Sequence, residues 1–213
     1  MRPRHGAELD RAYDGQMPTF AESVAAGGRQ VGRTRNEPIS VVDYDPVWPA
    51  RFAEISARLA TALGDRAVRI DHVGSTSVPG LAAKPIVDIQ ISVPDVENEA
   101  EYLGLIEAQG FELRWIEPGH RYLRPPPELP RLWQVHVCSV GSTWERVHLL
   151  FRDYLREHPD TAAEYAALKW QLAKEHRDDS IAYTDAKGPF IESVLRRAEQ
   201  RELQSRGDRL GER

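Results

Sequence analysis

The order of apolar patterns along this chain predicts an α+β fold, a mixed β-sheet with helices on one face and a C-terminal helical cap. Three observations carry that prediction. Stretches of period two alternate with stretches of helical period from residue 39 to about residue 140. The stretch "PIVDIQISV", residues 85–93, alternates most strongly and marks a central strand. From Thr143 onward the pattern is helical alone, and strands mixed with helices ahead of a helical block suit a sheet with a cap.

Element by element, residues 1–38 combine mixed charge, Gly27-Gly28 and three prolines without a periodic apolar pattern, and read as a disordered arm in which Met17 is an alternative start. Ile39–Val42 reads as a short strand. Asp45-Pro46-Val47-Trp48-Pro49 opens a helix, with proline tolerated in its first turn; Phe52, Ile55, Leu59 and Leu63 mark its buried face and Gly64 its end. Val68–Val73 and Pro85–Val93 are strands. In the second, Val87, Ile89, Ile91 and Val93 share one face, while Ile86, Asp88, Gln90 and Ser92 share the other, a polar face suited to lining a cleft. A helix is predicted over 96–109, strands over 111–116 and 121–123, and a loop at "PPPELP". "LWQVHVCSV" alternates again, with Gln134, His136 and Cys138 on one side. Thr143–His158 is helical. Thr161 and Glu164 form a capping box for the next helix, Thr184 opens the last one, and a polar tail follows over 201–213.

At 213 residues the chain suits one domain with ends to spare. With 41% hydrophobic and 29% charged residues it falls in the soluble globular class. A net charge of −5 and the absence of a basic stripe argue against nucleic acid as the main partner. Cys138 is the only cysteine, which points to a reducing, cytoplasmic compartment. No apolar run approaches the ~20 residues of a membrane span. Of the 28 basic residues, only Lys84, Lys169, Lys174 and Lys187 are lysines. In so arginine-rich a chain each compact ammonium is conspicuous, because a planar guanidinium does not replace it chemically.

One of them closes "DHVGSTSVPGLAAKP", residues 71–85. Gly74 lets the backbone turn or approach a ligand closely. Ser75, Thr76 and Ser77 offer hydroxyls and backbone N–H groups in a short loop, a concavity that can hold phosphate, and Lys84 enters the next strand as a point charge suited to phosphate oxygens. A hydroxyl-rich turn between strands is also ordinary loop chemistry. Neither a Walker A loop nor a dinucleotide fingerprint is present.

As a longer string, "HVGSTSVPGLAAKPIVDI" resembles the signature of the GrpB family, an uncharacterised group with a nucleotidyltransferase-like fold. "VVDYDPVWPARFAEI", "WERVHLLFRDYLREHPDTAAEYAALKWQLA" and "AYTDAKGPFIESVLRRA" resemble other parts of that family, so the resemblance covers residues 39–200. It implies a nucleotidyltransferase-like mixed sheet, in which Gly-Ser follows one strand and two carboxylates two positions apart on the next aim at shared Mg²⁺ or Mn²⁺ ions. Those ions would assist nucleotidyl or phosphoryl transfer. Gly74-Ser75 and Asp88 match, with Asp88 the metal ligand. Gln90 stands where the second carboxylate belongs, and Gln134 and His136 where a later strand would supply a third. His136 suits a softer metal or direct phosphate binding. The resemblance thus implies a cytosolic protein that binds a nucleotide or other phosphorylated small molecule, with Asp88 and His136 as catalytic residues and Gly74, Ser75, Thr76, Ser77, Lys84, Arg152 and Lys169 around the phosphate. It also implies an alternative, a non-catalytic accessory module. Such a domain is fused in some chains to dephospho-CoA kinase, and a kinase partner in trans is then expected, since the arm here carries no P-loop.

The remaining candidates divide by surroundings. His72 alternates with Val68 and Ile70 and reads as a core histidine. His148 lies one turn from Arg152. Lys169 sits among apolar neighbours that can direct its ammonium to a site. Tyr183, Asp185 and Lys187 open the last helix, with Asp185 as ordinary first-turn chemistry and Lys187 as a functional candidate. Cys138 reads as an inert buried thiol, and Trp48, Trp133 and Trp170 as core aromatics.

Overall fold

The strongest alternation in the sequence becomes the centre of a sheet. In the computed structural model, which describes residues 18–33 and 37–211, six strands form one sheet: β1 (Arg29–Gln30), β2 (Arg69–Val73), β3 (Val87–Val93), β4 (Glu112–Glu117), β5 (His120–Arg124) and β6 (Trp133–Ser139). Their order is β1-β4-β5-β6-β3-β2, with β3 and β6 parallel and all other neighbours antiparallel. Seven α-helices accompany them among the described residues: α1 (Phe20–Ala25), α2 (Trp48–Leu63), α3 (Leu103–Glu107), α4 (Thr143–Glu157), α5 (Pro159–Glu175), α6 (Ser180–Asp185) and α7 (Gly188–Gly211).

Residues opposite one another in paired strands share a face. Val87, Ile89, Ile91 and Val93 of β3 join Val135 and Val137 of β6 on the apolar face, all essentially inaccessible. Trp48, Ile55, Leu59 and Leu63 of α2 and Ile106 of α3 pack there with Tyr102 and Phe111. The other face carries Asp88, Gln90 and Ser92, then Gln134, His136 and Cys138 beside them, with His120 and Tyr122 beyond. The helical cap α4–α7 stands over this polar face and is tied to the loop after β2. Val78 and Leu81 of that loop pack on Leu155, Ala162 and Tyr165, and Tyr154 packs on Val194 and Ala198 to join α4 to α7.

Several elements depart from expectation for local reasons. Residues 39–42 run alongside the loop after β2 with a single bridge, Val42 to Ala83, and do not form a strand of the sheet. Over 96–109 only α3 and a 3-10 turn at Glu99–Glu101 are helical: the backbone leaves helical geometry at Asn98, a poor helix former, and at Tyr102. Pro159, pre-organised for a first turn, starts α5 two residues before Thr161, which is buried in the helix and caps nothing. Between α5 and the last helix lies α6, whose N-cap Asp179 accepts from the N–H groups of Ile181 and Ala182. Thr184 therefore belongs to α6, and Asp185 ends that helix. Trp170 is 38% exposed and is not a core aromatic.

The arm is not wholly unstructured. A capping box between Thr19 and Glu22 starts α1, Phe20 packs on Trp115, the Phe20 N–H donates to Asp185 Oδ1 at 3.1 Å, and Arg29 and Gln30 add an edge strand to β4. Met17 and the residues before it lie outside the described part.

Ile89 is fully buried at the middle of β3. Ile89→Ala should therefore lower unfolding stability by about 2–5 kcal/mol, read as a fall in the urea midpoint with an unchanged m-value.

Candidate functional site

The loop after β2 meets β3 through a close approach. Gly74, with φ +67°, lies so near Asp88 that a Cβ there would collide with the carboxylate, so only glycine fits. Ser75–Ser77 form one 3-10 turn. The Ser75 hydroxyl lies near enough to the Tyr165 hydroxyl to oppose the rise in its pKa that burial causes. Thr76 is buried with its hydroxyl 3.0 Å from His72 Nε2, and Ser77 Oγ donates to Gly74 O at 2.6 Å. The expected phosphate contacts by the Thr76 and Ser77 side chains are thus corrected: both hydroxyls are consumed in holding the turn. Arg156 clamps the same turn by donating to Ser77 O at 2.9 and 3.1 Å.

Asp88 is the carboxylate at the centre. Its Oδ1 accepts from Gln134 Nε2. The amide of Gln134 is oriented by its other end, where Oε1 accepts from the Tyr122 hydroxyl at 2.7 Å and Arg131 at 2.6 Å. Burial works against ionisation of Asp88, but the His136 ring beside it, the hydrogen bond from Gln134 and the Lys84 charge outweigh it and hold the carboxyl below its ordinary range.

Three of the four lysines are drawn in under the cap, within electrostatic reach of this carboxylate. Lys84 and Lys187 lie over the Tyr183 ring at 4.9 and 4.7 Å from its centroid. Lys169, only 2% exposed, lies 4.6 Å over the Tyr165 ring and donates to Ala82 O. Burial, with the charges of Lys187 and Arg131, pushes the Lys84 ammonium down to about 7, against the pull of Asp88. Burial and Lys187 push Lys169 to about 7, and burial pushes Lys187 to about 8, both again opposed by Asp88. Lys84, Tyr122 and Arg131 also line one end of a cavity of about 570 Å³ whose other walls are Trp115, α6 and the docked arm.

On the β5 side of Asp88 stands a stack of rings. His136 Nε2 lies 3.7 Å from Asp88 Oδ1, and His136 Nδ1 lies 3.0 Å from His120 Nε2. His120 Nδ1 lies 2.7 Å from Glu117 Oε1. Trp144 of α4 stacks on both histidines, with His148 on its far side at 3.6 Å. Burial pushes His148 down to about 3.

Arg152 does not join the phosphate site as expected. It ties α4 to β2, donating to Asp153 at 2.7 and 3.0 Å, to Asp71 at 3.3 Å and to His72 O at 3.2 Å. His72 is a core histidine, stacked on Phe52, and Cys138 is fully buried, its thiol pushed up to about 12 by that burial. Sequence reasoning passed over Glu117, His120, Tyr122, Arg131 and Trp144. The alternation of His120 and Tyr122 with the apolar Leu123 was the one local signal that they face the cleft.

The donor set does not fit the metal pair that the resemblance implies. Gln90, at the second carboxylate position, is fully buried with neither amide atom hydrogen-bonded. Gln134 turns an N–H, not an oxygen, toward Asp88. Among the described residues no group of three His, Cys, Asp or Glu side chains gathers to hold a metal, and three ammoniums beside one carboxylate oppose a divalent cation.

Sheet order and the helical cap define a mixed-sheet α+β protein whose Gly-Ser turn and lone aspartate lie on the polar face of the sheet. The family model described as "GrpB protein" matches residues 38–197, and the chain belongs to that family. It is 43% identical over 160 residues to a UPF0157 protein of Streptomyces coelicolor, covering 75% of this chain and 84% of that one. It is 31% identical to a protein of Mycolicibacterium paratuberculosis named dephospho-CoA kinase, over 88% of this chain and 51% of that one. The crystal structure of the conserved protein GrpB from Enterococcus faecalis superposes with a TM-score of 0.68 at 36% identity, covering 77% of this chain and 99% of that one. Among the described residues no helix is long and apolar enough to cross a membrane.

The buried bases set the pH dependence of stability. His72, His120 and His148 are held at about 4, 4 and 3, below the ordinary 6.5, so the unfolded chain binds more protons below pH 6.5 and acid destabilises the fold. The three lysines, depressed from 10.5, extend the same sign above neutrality. Stability by urea titration should rise from pH 4 to 6.5 and rise again from pH 7 to 9.5, the second slope becoming shallower in Lys169→Met.

Proposed function

We propose that the protein binds a phosphorylated small molecule, a nucleotide being the leading candidate, with phosphate oxygens held by Lys84, Lys169 and Lys187 around Asp88. The observation that carries this reading is the burial of three of the four lysines together, Lys84 and Lys187 over one Tyr183 ring and Lys169 over Tyr165, all within electrostatic reach of one carboxylate. Like charges brought together out of bulk water depress one another's ammonium pKa, and an entering dianion relieves that cost directly. The Ser75 hydroxyl and the turn around Gly74 border the same point, and the cavity beyond Lys84 and Arg131 accommodates the rest of the ligand. Phosphate is recognised here by ammonium groups, and no step is assigned to a metal ion.

Isothermal titration calorimetry with pyrophosphate and ATP in EDTA tests this. Each contact from a charged donor contributes roughly 1.5–3 kcal/mol, so Lys84→Ala should weaken binding about tenfold or more. Binding restores full charge to the ammoniums. Titrations at pH 8 in two buffers of different ionisation enthalpy should therefore show proton uptake, and affinity should fall as pH rises through 7 to 8. Unchanged affinity in Lys84→Ala, or the absence of binding by any phosphorylated compound, would refute the reading.

The relative named dephospho-CoA kinase favours a second reading, an accessory module that acts on such a kinase in trans. It predicts complex formation with purified dephospho-CoA kinase by analytical ultracentrifugation, unaffected by Lys84→Ala.

A further inference from the structure

The line Glu117–His120–His136 ends beside Asp88, and hydrogen-bond counting fixes where its protons lie. Burial resists ionisation of Glu117, but hydrogen bonds from His120 and from the Ser23 hydroxyl outweigh it and hold the carboxyl at about 2. It is therefore an acceptor only. His120 is 5% exposed and burial pushes it down to about 4, Glu117 opposing, so at neutral pH its ring carries one proton. That proton lies on Nδ1, donated to Glu117 Oε1 across 2.7 Å. His120 Nε2 is then a lone pair, and His136 Nδ1, 3.0 Å away, must donate to it. In neutral His136 this leaves the lone pair on Nε2, which faces Asp88 Oδ1 at 3.7 Å, beyond direct hydrogen-bond reach. Two acceptors thus lie side by side and can share one O–H donor. Every neighbour of His136 fits this assignment. Tyr122 spends its hydroxyl on Gln134 Oε1, Gln134 directs its N–H to Asp88, Trp144 offers only its ring face, and His148 turns Nδ1 to Trp144 O.

The geometry points to a proton relay in which Glu117 and His120 position His136, so that His136 Nε2 accepts the proton of a ligand hydroxyl lodged against Asp88. The ligand class follows: a phosphorylated molecule bearing a hydroxyl close to its phosphate. In the bound complex the ligand O–H donates to His136 Nε2 and stays intact; only as the oxygen forms a new bond to the ligand's reacting partner does the O–H bond break, its proton passing to His136 Nε2 and its electron pair to the new bond. The imidazolium that forms is balanced by Asp88. His120 holds the ring orientation without changing its own charge. The ligand's anchoring rests on the phosphate reading above, whereas the proton positions in the relay do not depend on it.

Long-range proton–nitrogen correlation spectra of the ¹⁵N-labelled full chain test the relay. At neutral pH both His120 and His136 should be protonated at Nδ1, the minor form of a free neutral histidine. Glu117→Leu and His120→Phe should each move the His136 proton to Nε2, with folding checked by the dispersion of the amide spectrum. A wild-type His136 protonated at Nε2 overturns the relay even if neither variant folds, and so does a His136 that ignores both substitutions. Glycerol 3-phosphate and methyl phosphate, added at pH 8, separate the two proposals. Both are dianions, but only the first carries hydroxyls, so only the first should shift the His136 Nε2 resonance strongly. Binding of both with equal shifts would remove the hydroxyl assignment. Binding of neither would remove the phosphate reading and leave the relay to stand or fall on the wild-type proton positions.

Discussion

The chain buries Lys84, Lys169 and Lys187 under one helical cap, within electrostatic reach of the lone carboxylate of Asp88, and much of the polar face depends on how that excess positive charge is tolerated. The three ammoniums come from different places, the end of the loop before β3, the body of α5 and the turn after α6, so they meet only because the cap closes on the sheet. Closure must therefore overcome like-charge repulsion and desolvation. Apolar contacts do it: Val78 and Leu81 against Leu155, Ala162 and Tyr165 on one side, and Ile39, Leu172 and Tyr183 on the other. Tyr165 and Tyr183 serve twice, since their ring faces also carry the ammoniums.

That charge pattern explains why the polar face departs from a two-metal site. Paired carboxylates concentrate negative charge to hold cations, which then hold phosphate. Here the cations are built into the protein. With Gln90 sealed against the sheet and Gln134 oriented by Arg131 and Tyr122 to donate to Asp88, one negative charge remains. It helps keep the lysines charged, and a second would cancel the excess positive charge on which the proposed phosphate binding rests. Asp88 in turn depends on backbone geometry, because only the missing side chain of Gly74 leaves its carboxylate room.

What the sequence made legible was local. The faces of β3 and β6 and the buried stripe of α2 follow from period alone, because each is a repeating contact with one core. Asp88, Lys84 and Lys169 were legible from a motif and from the rarity of lysine. The losses share a physical cause: their determinants are distant in sequence. Nothing near Thr76 or Ser77 shows that one hydroxyl meets His72 and the other turns back on Gly74. Arg152 looks free until Asp71, eighty-one residues away, is placed beside it. The arm reads as featureless because α1 is short and is held by Ser23 on Glu117 and Phe20 on Trp115 and Asp185, contacts that exist only once the sheet and α6 are in place. His120 was overlooked for the same reason, since its meaning comes from His136 sixteen residues on.

The lysine side and the histidine side of the cleft share Asp88, and that sharing ties binding to proton transfer. A dianion held by the ammoniums brings negative charge to the edge of the ring stack. The positive charge created when His136 takes up a proton then lies between Asp88 and the bound phosphate, and both stabilise it. Proton transfer in the unliganded cleft would have Asp88 alone for balance, already committed to three lysines. On the binding and proton positions proposed above, the arrangement would favour moving a proton only when a phosphorylated ligand is in place, by electrostatics alone and with no change of shape required.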